Sequence, residues 1–256
     1  MARFQRVVVK PNIDISPGTA FSDNDLLFDW TAFETQSGVG KLTSVSAVIA
    51  GTNGSAGNAH DFTLYFAKSD NGVAPTSLGT VNSAVSAYSG TSVKNQIIAS
   101  RTIDNSAFTD GGHLLEHTVL GNAIANYAWL NFPVFSEDAT YSGTSAHRNK
   151  TYWVAAVAHG AFDFGSDVQL NQVSHQAART EEVQITVEQG GGGAGDPRKT
   201  FAKGDLVIGA TGGPTMEVVS VDGASAMTVK GISEQIDNNE ELVLRQPIHL
   251  TLGFQF

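Results

Sequence analysis

Cysteine is absent from the 256 residues. That one absence excludes a disulfide framework, a thiolate metal site and a thiol nucleophile, and leaves burial and strand pairing to stabilise the fold. Charge is sparse as well, at 16% of residues against 41% hydrophobic, too little for long helices laced with surface ion pairs. Basic residues are the scarcer sign. Residues 1 to 189 hold 10 Lys/Arg against 17 Asp/Glu and residues 190 to 256 hold 5 against 8, so the net charge of -10 is spread along the chain. No basic stripe is left for phosphates, and nucleic acid is not an expected partner. No run approaches the roughly 18 apolar residues of a membrane span, and Met1 to Val9 lacks the apolar centre of a secretion signal. The expectation is synthesis in a cytoplasm, with no membrane partner.

What is present is glycine, 27 of them, with abundant Ser and Thr between short apolar stretches. Leu42 to Ala50 runs into the polar loop Gly51 to Asn58, then Asp61-Phe62-Thr63-Leu64-Tyr65-Phe66 alternates on a two-residue period, and Ser77 to Val85 follows as a turn. Gln96 to Ile103 and Tyr127 to Phe132, stopped by Pro133, are further short strands. Thr151 to Ala158 is apolar on both faces, as in a central strand covered by a second layer. Glu181 to Glu188 alternates cleanly and should keep one wet face. For Ala107 to Ala125 helix and strand fit equally well, because Leu114, Leu115, Val119 and Leu120 cluster without strict alternation. The fold class is all-β: an antiparallel, jelly-roll-like sandwich.

Five segments are expected. Residues 1 to 41 read as an N-terminal arm with one short strand, Val7-Val8-Val9, then Pro11, Pro17 and an apolar group, Phe21, Leu26, Leu27, Phe28 and Trp30, that needs burial on its own domain or on a neighbour. The sandwich should occupy 42 to 189. Gly190 to Pro197 is a Gly-rich linker, since consecutive glycines lose too much backbone entropy to sit in a regular element. A small barrel follows over 198 to 247, with Asp222-Gly223 as a tight turn. The last segment, 248 to 256, places Ile248, Leu250, Leu252, Phe254 and Phe256 on one face, so it must pair with a sheet, beside Val7 to Val9 being the natural place.

Chemistry-bearing patterns are few. His113-Leu114-Leu115-Glu116-His117 matches an H-x-x-E-H zinc motif, but that motif needs a helix and a further ligand, and here it lies among strands between Gly111-Gly112 and Gly121. Exposed histidines beside an apolar run are the plainer reading. Asp23-Asn24-Asp25 and Asp237-Asn238-Asn239-Glu240-Glu241 offer oxygens to calcium without the ordered spacing of a known loop, and turns suit them better. Ser55 sits in Asn53-Gly54-Ser55-Ala56-Gly57, which lacks the first glycine of a nucleophile elbow, and Gly190 to Gly195 has no phosphate-binding spacing. Tyr65, Trp129, Tyr152 and Trp153 could form a sugar platform, although alternation assigns most of them to packed sheet faces. No catalytic, cofactor or metal residue is nominated.

The Leu42-x-x-Val45, Leu64-Tyr65-Phe66 and Leu78-Gly79-Thr80-Val81-Asn82-Ser83-Ala84-Val85 segments together resemble virion structural proteins of marine and other tailed phages. Gly204, Asp205, Gly212, Gly213, Pro214 and Met216 resemble small SH3-like barrels. The first resemblance implies a non-enzymatic virion protein, foremost a head decoration or cement protein on the outer surface of the capsid. Its partners would be the major capsid protein or other virion proteins and, as a homo-oligomer, its own copies in a trimer or dimer. The alternatives are a tail, baseplate or fibre component binding host glycan and, more remotely, a zinc hydrolase using His113, Glu116 and His117.

Overall fold

The structure, a computed structural model, describes residues 3–13, 19–35, 40–50, 58–68, 74–85, 93–110, 114–120, 130–132, 151–164, 169–171, 180–189, 196–209 and 213–256. Three antiparallel sheets hold all sixteen strands among these residues. The first contains β1 (Phe4–Val9), β3 (Gly40–Ala50), β6 (Thr109–Asp110), β7 (Leu114–Leu120), β8 (Leu130–Phe132) and β16 (Ile248–Gln255), in the order β1-β16-β3-β7-β6 with β8 also paired to β3. The second runs β2 (Leu26–Glu34), β9 (Thr151–Ala158), β4 (Phe62–Lys68), β5 (Ile97–Ile103).

The pairings of the eight principal strands are nested. β1 pairs with β16, β2 with β9, β3 with β7 and β4 with β5, while β16·β3 and β9·β4 stitch the pairs into two sheets. This is a long antiparallel ribbon rolled into a sandwich, the jelly roll. Strand alternation supplies its core. β16 is buried at every second position, Ile248, Leu250, Leu252 and Phe254, and faces Phe28, Phe33, Phe62, Leu64, Phe66, Val154 and Ala156 of the second sheet. β9, central in its sheet, is buried on both faces from Val154 to Ala158. Its outer face is covered by the segment following β4, which buries Leu78 with Leu26, Val93 and Ala155. That segment is held to β2 by Leu26 N–H to Ser83 O at 2.9 Å and Leu78 N–H to Asp29 Oδ1 at 3.1 Å.

The third sheet is a closed barrel inserted between β9 and β16, comprising β10 (Gln169–Asn171), β11 (Val183–Gln189), β12 (Leu206–Gly209), β13 (Thr215–Val221), β14 (Ala226–Lys230) and β15 (Glu241–Leu244). Two short helices, α1 (Val93–Gln96) and α2 (Pro197–Thr200), lie outside the sheets. Ile185, Val187, Val207, Met216, Val218, Met227 and Val229 fill the barrel. On β12 and β15 the next residues along, Ile208 and Val243, point the other way and join the jelly-roll core. The two cores therefore abut, and Ile13 N–H to Arg245 O at 2.8 Å adds a backbone bond across the junction.

Three segment boundaries move. Residues 1 to 41 are not an arm: β1 and β2 are integral strands, and Phe21, Leu26, Leu27 and Phe28 are buried within this chain. The barrel does not begin at 198, because strands before the glycine run, β10 and β11, are needed to close it, and 198 to 247 supplies only the other four. Gly190 to Gly195, which lies outside the described residues, thus joins two parts of one barrel rather than two domains. The 222–225 turn is longer than a two-residue hairpin, with Asp222 N–H bonded to Ala226 O at 2.9 Å. The terminal strand does lie beside Val7 to Val9: Val7 is opposite Leu252 and Val9 opposite Leu250.

Candidate functional site

The described surface has one apolar feature on an open sheet edge. Among the described residues β1 pairs with β16 alone, and its far side carries no strand. Phe4 is 73% exposed and Val8 48% exposed, with exposed Arg6 between them, whereas Val7 is half-buried and Val9 buried. The split follows from the pleat, which sends Phe4, Arg6 and Val8 outward and Gln5, Val7 and Val9 to the core. Arg3 exchanges both backbone bonds with Phe256, at 3.1 and 2.9 Å. Antiparallel alternation from that pair turns the N–H and C=O groups of Phe4, Arg6 and Val8 toward the open edge. The outward side chains and the unpaired backbone therefore belong to the same three residues.

The sheet face beside this edge is small and polar. Arg6 is opposite Gly253, which is opposite Ser44, and Val8 is opposite Thr251, which is opposite Ser46. A Cβ on Gly253 would run into Ser44 Oγ, so glycine lets the two strands close up where Thr43 Oγ1 donates to Gly253 O at 3.0 Å. Flatness here leaves Phe4 and Val8 as the raised apolar elements.

The patterns singled out in the sequence are not brought together. His113 lies outside the described residues, and Glu116 and His117 occupy adjacent positions of strand β7, opposite Val48 and Ala47. That stretch is extended strand, so the helix on which the zinc motif depends is absent from it. Asp23-Asn24-Asp25 forms the turn entering β2: Asn24 has φ 68°, and the buried Asp25 accepts the Ser22 N–H at 2.7 Å. Asp237 to Glu240 is likewise a turn, with Asn239 at φ 63° and Asp237 N–H donating to Glu240 Oε2 at 2.9 Å, and Glu241 opens β15. Burial pushes the Glu240 carboxyl up, against that backbone bond. Among the described residues no group of three or more His, Asp or Glu could hold a metal.

Of the aromatic set, Trp129 lies outside the described residues. Tyr152 is in the core beside Phe33, where burial raises its phenol pKa. Tyr65 and Trp153 remain: opposite Ala155 and Ala67 respectively, they share the outer face of the second sheet, both half-buried.

Val7 to Val9 is legible in the sequence as a strand, whereas Phe4 and Val8 as an outward pair are not. Alternation from Phe4 to Val9 carried that signal, masked by the continuous Val run.

No family model and no curated protein matches the chain. Among solved structures it is similar to the crystal structure of Cucumber Necrosis Virus, at 11% identity over 100% of this chain and 89% of that one, with a TM-score of 0.16. At that score the likeness carries no argument.

Proposed function

We propose that this chain is a non-enzymatic virion structural protein of a tailed phage, a decoration or cement protein bound to the outer surface of the head. The observation that carries the reading is the β1 edge, where Phe4 and Val8 are exposed on a strand whose backbone groups face outward. Such an edge invites an added strand. A neighbouring subunit would complete the sheet through the backbone of Phe4, Arg6 and Val8 and cover the two apolar side chains, and Arg6 would set register through its charge. Jelly rolls are a recurrent capsid architecture, which supports the reading by analogy only. Attachment repeated around a symmetry axis, as a trimer or dimer, would tie capsid neighbours together.

Purified protein sedimented with empty heads and with host-cell envelopes tests this. Co-sedimentation with heads is expected. Binding to envelopes with none to heads overturns it, and would favour a tail or fibre component that takes glycan on Tyr65 and Trp153, the two aromatics sharing an outer face.

A further inference from the structure

Where the barrel meets the outer face of the jelly roll there is a cleft of about 550 Å³, within the range of small-molecule sites. One wall comes from the jelly roll: Lys10, just past β1, with Val48, Ala50 and His249. The other comes from the barrel, as the segment from Arg198 to Asp205 together with Leu244. Phe164, Phe201 and Pro247, all buried, contribute apolar lining.

Its charge runs against that of the molecule. Four of the chain's 15 Lys/Arg, namely Lys10, Arg198, Lys199 and Lys203, line the cleft, and Asp205 is the sole carboxylate among its described lining residues. Asp205 Oδ2 is occupied by the Ala202 N–H at 2.7 Å. Arg198 is clamped by Asp196, Nε to Oδ1 at 2.8 Å and Nη2 to Oδ2 at 2.5 Å. Lys10, Lys199 and Lys203 have no carboxylate within ion-pair distance among the described residues. Lys10 acts at longer range on Asp205 and Lys199 on Asp196, but three lysines against one lining carboxylate leave positive charge in excess, which an anion offsets. A bare inorganic ion would use the lysines but leave the apolar lining idle.

We propose that this cleft binds a small amphiphilic organic anion, with a carboxylate or phosphate head between Lys10, Lys199 and Lys203 and an aliphatic or aromatic body against Phe201, Leu244 and Pro247. Walls on both sides admit a single molecule rather than a bilayer. Because the ligand touches both the jelly roll and the barrel, its binding stabilises their junction.

The test is calorimetric titration of the full chain with decanoate, with acetate and decanol as head-only and body-only controls, alongside thermal unfolding. Saturable one-site binding of decanoate and a raised melting temperature are expected. Acetate and decanol should bind more weakly by roughly tenfold or more, and Lys10→Glu with Lys203→Glu should weaken decanoate by a similar factor, the scale of a lost charge-assisted bond. Both lysines are exposed, so folding should survive; Lys203→Glu alone, on a surface turn, provides a second variant if the pair does not fold. No saturable binding of decanoate, equal binding of acetate or decanol, or undiminished binding by the folded variant would overturn the proposal.

Discussion

Phe33 on β2 stacks on Phe254 of β16, ring centroids 6.0 Å apart and planes 23° from parallel, and so locks the two sheets together where the last strand closes the roll. Phe33 also meets Phe66 edge-on at 6.4 Å and Tyr152 at 6.0 Å. Phe254 is fully buried, so Phe254→Ala should cost about 3–5 kcal/mol, the usual range for an aromatic truncated to a cavity. Urea denaturation measures it. A change below about 1 kcal/mol would mean the sheets do not meet there.

Deleting residues 3–13 should abolish cooperative unfolding of the jelly roll, because it removes β1 along with buried Val9 and Ile13. Phe4→Ser with Val8→Ser should instead leave stability within about 0.5 kcal/mol per site, as for exposed side chains elsewhere. Denaturant titration of both variants checks the contrast. Intact cooperativity after the deletion would restore the view of this segment as an arm.

Gly204→Ala should destabilise by about 1 kcal/mol even though nothing lies within 4 Å of the added Cβ, since its φ of +87° penalises any side chain. Gly223→Ala, also in open space but with no positive φ, should be close to neutral. Equal effects in thermal melts would remove the backbone explanation.

His249 should make stability fall in mild acid. Burial, and then the charge of Lys10, hold its pKa below the ordinary 6.5, while a backbone bond with Gln246 opposes them. The unfolded chain therefore takes up the proton first, so the stabilisation is fully present above pH 6.5 and is lost as pH falls through the folded value. Asp205, the one carboxyl among the described lining residues of the same cleft, is itself pushed up by burial and then drawn back by the Ala202 N–H and Lys10. His249→Gln should flatten the decline below pH 6.5 in a pH series of denaturation midpoints. An unaltered slope would contradict it.

The strands with full alternation were legible in the sequence, and those defined by distant partners were not. β16 announced itself by Ile248, Leu250, Leu252 and Phe254, and β9 by being apolar on both faces, because burial alone sets those patterns. Of the nested pairs, β1 with β16 was legible, because the apolar face of the last strand required a sheet and Val7 to Val9 offered one; β2 with β9 and β3 with β7 were not, since neither strand carries its partner's address. Pro11 and Pro17 suggested an arm, but β1 and β2 carry enough apolar surface to be drawn into the roll. β10, three residues long, has no periodicity to read, so the barrel looked as if it began after the glycines. The basic cleft depends on bringing Lys10 to the same cavity as Lys199 and Lys203, which the inserted barrel accomplishes.

Electron cryomicroscopy of heads decorated with the purified protein shows whether the β1 edge is the attachment surface. Density is expected on the outer surface of the shell, with the β1 edge against a neighbouring subunit and Phe4 and Val8 covered, and is expected to be lost for Phe4→Ser with Val8→Ser. Undecorated heads, or density attached through another face with β1 left open to solvent, would contradict it.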